Sequence, residues 1–479
     1  MKDRFEKIVK TKKHGEALLK KDIKKGNLVA GAIVHDPMIF SEKKGKYYLF
    51  GTHYTSAVSN DLKTWKQLSG EFAGREKLFS DLFDDDCDHF RYCKGFNQRF
   101  YDVWAPDVSY NPYLKKYVMY LCSSGSYIKS SISMATSDKP EGPYKFEERL
   151  LDSGFTKNTV KETNIKRIMG KKYDPSKYIK KNGNYNNLAY PNCIDPNTFH
   201  DEEGRFWMVY GSWSGGIYLL EIDEKTGRLI HPKENKKEHV DPYFGRRLIG
   251  GGHKSIEGPY ILYDRESGYY YLFVSFGWLA RDGGYQIRLF RAKSPKGPYT
   301  DMNGKTFGRV PDHSKYGLKM MGNYNLPSLS IGYKAPGHNS AFIDKDGAMY
   351  VVYHQRFDDD TERHEPRAHR LSRTKDGWLV PSAFAKSDDE VVISSTNDKF
   401  SLKEAPKGTY NLVCHGSDIS KEVHDSKAVT IEDGYIKELN MRIPEDSSAI
   451  FKQTDEAGNA TICISWVSDN LSYWAVKYV

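Results

Sequence analysis

One unit recurs five times along this chain and constrains its fold more than any other feature. Its clearest copy runs from Gly251 to Gly277, GGHKSIEGPYILYDRESGYYYLFVSFG. An acid, Glu257, stands in a turn rich in Gly and Pro. A short strand (Tyr260 to Tyr263), a polar turn (Asp264 to Gly268) and a long aromatic and β-branched strand (Tyr269 to Phe276) follow. Two such runs about a polar, Gly-containing turn predict a β-hairpin. The other copies are HDPMIFSEKKGKYYLFGTH from His35, APDVSYNPYLKKYVMYLCSSG from Ala105, IDPNTFHDEEGRFWMVYGSWSGG from Ile194 and GHNSAFIDKDGAMYVVYHQ from Gly337. Each carries one polar group ahead of its strands: Asp36, Asp107, Asp195, Glu257 and His338.

A regular unit at unequal separations implies equivalent sheets joined by loops of different length. Radial repetition of four-stranded sheets about a channel is the β-propeller solution to exposed sheet edges. If each hairpin supplies the inner strands of one blade, the five polar groups meet at the mouth of one axial funnel. Four carboxylates and an imidazole are too costly to bury for packing alone, so the ring is read as a functional site. The expected architecture is all-β: a basic leader over 1–29, a five-bladed β-propeller over 30–384 and a small all-β module, barrel or sandwich, over 385–479. A length of 479 residues suits one large domain with a small companion.

Outer strands repeat as well. ATSDKPEGPYKFEE (135–148) and RAKSPKGPYTDM (291–302) share a small residue, Ser, Pro and Gly-Pro-Tyr, and mark the outer edges of the second and fourth blades. SNDLKTWKQL (59–68) plays that part in the first. Glu141 and Glu257 both sit in Glu-Gly-Pro-Tyr, but Glu141 belongs to the edge repeat, so it is expected to be exposed and inert. The inserts 70–101 and 152–190 are long and irregular, and such loops are usually functional or disordered. Each precedes a site-bearing turn, so both are expected to wall the funnel. Asp84, Asp85, Asp86 and Asp88 lack the Gly and terminal Glu of an EF-hand loop, which makes calcium there a minor reading.

Net charge is +9, but Lys and Arg are scattered and concentrate only in KIVKTKKHGEALLKKDIKK near the N-terminus. No compact recognition motif accompanies them, and nucleic acid is not an expected partner. A mean hydropathy of −0.69 and the lack of a long apolar run argue against a membrane-spanning helix. The N-terminus has no apolar signal region, so the expected compartment is the cytoplasm if that terminus is native, and outside the cell if a signal was removed. The chain is expected to act as a monomer. Six cysteines show no zinc spacing; Cys122 and Cys463 read as buried apolar residues, and Cys87 and Cys93 are close enough in sequence to pair without anything requiring it.

Cleaving a glycosidic bond with inversion needs a protonated carboxyl for the leaving oxygen. It also needs an ionised one, about 6.5–9.5 Å away, to activate water. Different blades can hold two carboxyls apart rigidly, and a third nearby keeps the acid protonated by like-charge repulsion. Trp104, Trp213 and Trp278 offer flat faces for sugar rings. An Asp-Pro at a strand start is commonly a plain turn residue, and only the fivefold register lifts these acids above that.

HDPMI, VWAPDV, NCIDPNTF, YGSWSGGIY, EGPYI with YYYLFVSFG, and GHNSAF with VYHQRF together resemble glycoside hydrolase family 43, over roughly residues 30–384. The run APGHNSAFIDKDGAMYVVYHQRFDDDTERHEPRAHRLSRTKDGWLVPSAF and the β-module after it are most similar to the two-domain endo-1,5-α-L-arabinanases of that family. The resemblance implies an inverting five-bladed propeller acting on arabinan or arabino-oligosaccharides. By motif, Asp36 would be the general base, Glu257 the general acid and Asp195 the group that tunes and orients it. His338 would face a largely water-coordinated calcium ion at the centre of the funnel. Trp104, Asp107, Asn192 and Ser212 match positions near the sugar subsites. Two departures stand out: Cys193 replaces an expected small residue such as Ala, and RHEPRAHRL differs from a GHEVRVHQL-like run. An exo-acting α-L-arabinofuranosidase or a β-xylosidase is the runner-up within the fold, and a non-catalytic carbohydrate-binding propeller is the reading outside enzymology.

Overall fold

The computed structural model describes residues 23–42, 45–94 and 101–479. Most of the predicted leader 1–29, and 95–100 of the first insert, lie outside them. The described chain is all-β with a propeller-like arrangement of sheets. Among the described residues no helix is long and apolar enough to cross a membrane.

All five predicted hairpins form, each in a sheet of its own. The first sheet runs in order through Met38–Glu42, Lys46–Gly51, Thr55–Ser59 and Lys66–Ser69. The second does so through Trp104–Asn111, Lys116–Ser124, Ser130–Ser137 and Lys145–Ser153. The third begins with Asn197–His200 and Phe206–Tyr210 and the fourth with Ile256–Asp264 and Tyr269–Phe276, and the fifth holds Tyr333–Ile343 and Met349–Phe357 after the short strand Tyr324–Asn325. Each hairpin's first strand neighbours the first strands of the hairpins before and after it, and the fifth hairpin's also neighbours the first's.

Alternation along these strands puts apolar side chains on both faces, as strands sandwiched between packed sheets require. A separate core fills each gap. Leu78, Val108 and Met119 belong to the core between the first and second sheets, and Tyr120, Met208 and Leu220 to that between the second and third. Val209, Leu219 and Leu272 lie in the core between the third and fourth. The fifth sheet closes on the first through Val34, Ile39 and Leu49 against Phe342, Tyr350 and Val352. No backbone ladder joins those two sheets among the described residues. Glu141 is exposed on the outer edge, as its repeat implied.

The C-terminal strands pair in the order Val391–Ser394, Ser448–Thr454, Ala460–Ser468, Leu471–Tyr478, Gly408–Cys414, Lys427–Glu432. They continue the fourth sheet through a parallel bridge between Lys319 and Leu471, and touch the fifth through Tyr324 and His424. Val413, Phe451 and Trp474 share one buried core with Tyr271, Val351 and Trp378 of the propeller-like part. The polar stretch after Phe384, which composition reads as a linker, therefore leads to strands that pack directly on the sheets before it.

Candidate active site

The hairpin turns bring Asp36, Asp195, Glu257 and His338 to one cavity of about 540 Å³, within the range of small-ligand sites. Three of them, Asp36, Asp195 and His338, have left-handed backbones (φ of 53°, 57° and 44°). Strain of about 1–3 kcal/mol per such residue persists where surrounding structure holds it, and it clusters at functional sites. One holder is visible. Gly258 has a φ of +55°, its N–H donates to Asp195 Oδ2 at 3.1 Å, and a Cβ there would meet the His338 ring at 3.0 Å. A side chain at that position would push the imidazole off Asp36.

Asp36 accepts from Thr52 Oγ1 at 2.5 Å and lies 3.0 Å from His35 Nδ1 and 3.2 Å from His338 Nδ1. Its backbone N–H donates to His354 Nδ1 at 3.3 Å. Burial alone would raise this carboxyl, but the imidazoles of His338 and His35 outweigh it and hold Asp36 well below the usual carboxylate range. Glu257 is held differently. Its Oε1 accepts from Tyr285 at 2.8 Å, and its Oε2 from Trp213 Nε1 at 2.8 Å and Ser212 Oγ at 3.2 Å. Burial pushes Glu257 up against those hydrogen bonds, with the charge of Asp36 adding to the rise. Asp195 is pushed up to about 7, chiefly by burial, with Glu257 and Asp36 adding to the rise and His338 opposing it. His338, surrounded by these acids, is raised to about 9 although burial works against its charge. One acid of the site is thus kept ionised and another is biased toward its protonated form.

The remaining residues singled out from sequence divide. Trp104 lines the cavity, its indole N–H fixed by buried Asp102 at 2.8 Å. Trp213 and Trp278 meet edge to face at its rim. Asn192 lines it too, tied by Nδ2 to the Tyr127 carbonyl at 2.9 Å. Asp107 is placed otherwise. It is 1% exposed and accepts from Asn197 Nδ2, Thr198 N–H and Thr198 Oγ1 of the next sheet, so its carboxylate is a strut between sheets; it lines a separate small cavity with Asp36, Asp195 and His338, not the larger one. The expectation that both inserts wall the funnel also needs correction. Among the described residues, the lining comes from short turns near Thr52, Asp102, Tyr127, Ser212, His253 and Trp278. Among its described residues, the first insert meets the wall through Phe72, which packs on His53.

The family model described as glycosyl hydrolases family 43 matches residues 167–379. The extracellular endo-α-(1→5)-L-arabinanase 2 of Bacillus subtilis (strain 168) is 36% identical over 408 residues, covering 81% of this chain and 77% of that protein. The chain belongs to glycosyl hydrolase family 43. A second relative, the extracellular endo-α-(1→5)-L-arabinanase of Thermotoga petrophila, is 36% identical over 82% of this chain and 78% of its own. The crystal structure of the Thermotoga petrophila RKU-1 endo-1,5-α-L-arabinanase in complex with TRIS superposes with a TM-score of 0.77 at 32% identity, covering 93% of this chain and 98% of that one.

Within this family 43 chain, sequence reasoning missed Tyr285 and His354. Tyr285 stands just before the third strand of the fourth sheet, Gln286–Ala292, and reaches Glu257 by its side chain alone, which no local pattern marks. His354 lies in the second strand of the fifth hairpin, Met349–Phe357, and meets the backbone of Asp36 from 318 positions away. Of the two motif departures, Cys193 is fully buried, with its N–H donating to Ser153 Oγ at 2.9 Å. In RHEPRAHRL, Glu365 accepts from Ala30 N–H and Arg367 donates to the Leu28 carbonyl, so this run fastens the segment leading to Asp36. Cys87 and Cys93 are free thiols; in the acidic run Asp84, Asp85 and Asp86 are exposed, and Asp88 pairs with Arg149.

Proposed function

We propose that this chain hydrolyses α-1,5-linked L-arabinan within the polymer and with inversion. Asp36 is the general base, Glu257 the general acid and Asp195 the neighbour that tunes and orients the acid. One observation carries the reading: acids from the first, third and fourth sheets share a single cavity, with Asp36 pulled toward the ionised form and Glu257 toward the protonated one. Asp36 takes a proton from a water as its oxygen attacks the anomeric carbon. Glu257 gives its proton to the departing glycosidic oxygen as that bond breaks. Trp104, Trp213 and Trp278 supply faces for sugar rings, and Asn192 and Ser212 lie at the same wall. The two 36% identical relatives, both described as endo-acting arabinanases, support the substrate and the mode of cutting. Both are described as extracellular, which favours the secreted one of the two compartments considered.

Five blades fit best, because the five first strands neighbour one another in closed order. Residues 30–384 then form the propeller, with 385–479 an all-β addition locked to its fourth and fifth blades. Debranched arabinan should yield a ladder of oligomers from the earliest time points. Arabinose alone from the start would transfer the chain to the exo-acting alternative, and xylose from xylobiose with arabinan untouched would overturn the substrate.

Calcium belongs to the same proposal. A second cavity of about 20 Å³, room for about one water-sized guest, is lined by His338, Asp36, Asp195 and Asn339. The buried Oδ1 of Asn339 accepts no hydrogen bond from the described residues, and such oxygens suit a hard cation. His338 would hold the ion mainly through water, and the ion would add positive charge beneath the acids. Exhaustive chelation should lower the rate with recovery on adding Ca²⁺; an unchanged rate and melting temperature would remove the ion.

A further inference from the structure

The C-terminal strands carry a loop, Ser417–Glu422, that reaches back under the fourth sheet. Three donors buried in that sheet are turned to it and grip its main chain. Arg288 is 1% exposed and donates to the Ser417 carbonyl at 2.8 Å. Gln286 Nε2 and Lys319 Nζ both donate to the Asp418 carbonyl at 2.9 Å. Asn323 Nδ2 adds bonds to the carbonyls of Ser420 (3.3 Å) and Glu422 (3.2 Å). Buried cations are costly unless satisfied, and here much of the satisfaction comes from carbonyls of one loop. Hydrogen bonds from charged donors, as Arg288 and Lys319 make, are stronger than neutral ones, so this grip is strong for a loop.

What the loop presses on is the site. Gly284 has a φ of +71°, and a Cβ there would lie 2.8 Å from Ser420 N and 3.0 Å from the Ile419 carbonyl carbon. The next residue is Tyr285, whose hydroxyl donates to Glu257. Its ring lies flat on Gly337, where a Cβ would come within 2.2 Å, and stacks with His354 at 5.7 Å between centroids. His354 in turn receives the N–H of Asp36. From the loop, contacts therefore run through Gly284 and Tyr285 to the side chain of one carboxyl and the backbone of the other. Just before this strand, Trp278 is fastened by its backbone to Gly283 and stands at the cavity rim.

The geometry assigns the Ser417–Glu422 loop as a positioning element of the active site: clamped by Arg288, Gln286 and Lys319, it fixes Tyr285 and through it the carboxyl of Glu257. The inference deepens the function proposed above and rests on Glu257 being the general acid. It gives the C-terminal strands a part in the chemistry without any contact to substrate, and it makes Lys319 and Ile419 positioning residues in the same sense.

The test compares leaving groups. A misplaced acid hurts departure of a sugar alkoxide most and hardly affects a leaving group that needs no proton. Lys319→Met and Ile419→Gly, with Tyr285→Phe and Glu257→Gln as references, are assayed on arabinan and on arabino-oligosaccharides bearing aryl groups of graded acidity. Lys319→Met and Ile419→Gly should each lower kcat on arabinan about 10-fold with KM little changed, a part of the roughly 10²-fold that a 1 Å misplacement can cost. The deficit should shrink steadily as the aryl group becomes more acidic. Combined with Tyr285→Phe, neither should add a further loss, because both act through the same hydroxyl. Equal losses on every leaving group, or effects that multiply with Tyr285→Phe, would overturn the assignment and leave the loop an ordinary packing contact. Two variants of different kind are used so that misfolding of one does not leave the question open. If Glu257→Gln itself shows no dependence on leaving group, the acid is misassigned and the positioning inference falls with it; graded loss in Glu257→Gln and Tyr285→Phe but not in the loop variants removes the loop alone.

Discussion

Glu257→Gln and Asp36→Asn should each lower hydrolysis of arabinan by at least about 100-fold, the lower end of general acid–base contributions. Folding should survive, because Gln and Asn keep shape and most hydrogen bonds. The pH profile gives the sign for each residue. The base must be ionised, and Asp36 is held well below the usual carboxylate range, so its limb lies on the acid side. The acid must keep its proton, and burial raises Glu257, so its limb falls at higher pH than an ordinary carboxyl would give. The parent enzyme should therefore show a bell. Asp36→Asn should flatten the acid limb of the residual rate and Glu257→Gln the alkaline limb. Unchanged activity in either variant removes that residue from its role.

Trp474→Ala should be the most damaging substitution outside the cavity, costing about 3–5 kcal/mol as large buried aromatics do. Trp474 is fully buried, packs edge to face against Tyr324 and His415, and donates to the Pro381 carbonyl at 3.1 Å. Its core is common to the C-terminal strands and the fourth and fifth sheets. Urea unfolding followed by tryptophan fluorescence and by loss of activity should thus show one coincident transition, moved to lower denaturant in the variant. Two separated transitions in the parent would mean that the C-terminal strands melt alone.

The hairpins were legible because strand alternation and turn chemistry are local, and the register of Asp36, Asp195, Glu257 and His338 followed from them. The same register brought Asp107 to the small cavity shared with Asp36, Asp195 and His338, but not to the larger one. Periodicity marks the entry to a strand, but it does not say whether the next sheet will claim the carboxylate, as Asn197 and Thr198 do. The pairings that set the chemistry were out of reach for the same reason. His354 meets Asp36 across the whole propeller-like part, and the clamp on residues 417–422 joins residues 97 to 132 positions apart. The parallel bridge of Lys319 to Leu471 is a single residue pair with no pattern of its own.

The joint between the last sheet and the first is made of side chains. Ile39 N–H donates to Ser340 Oγ, Tyr47 to Asp344, and apolar residues fill the gap between. Asp36 hangs on that joint, with partners from the first sheet on one side and His338 and His354 on the other. Parting of the two sheets by a fraction of a bond length would disarm the proposed base while every ladder stayed intact. Thermal inactivation of this molecule should begin at its own suture, ahead of any melting of strands.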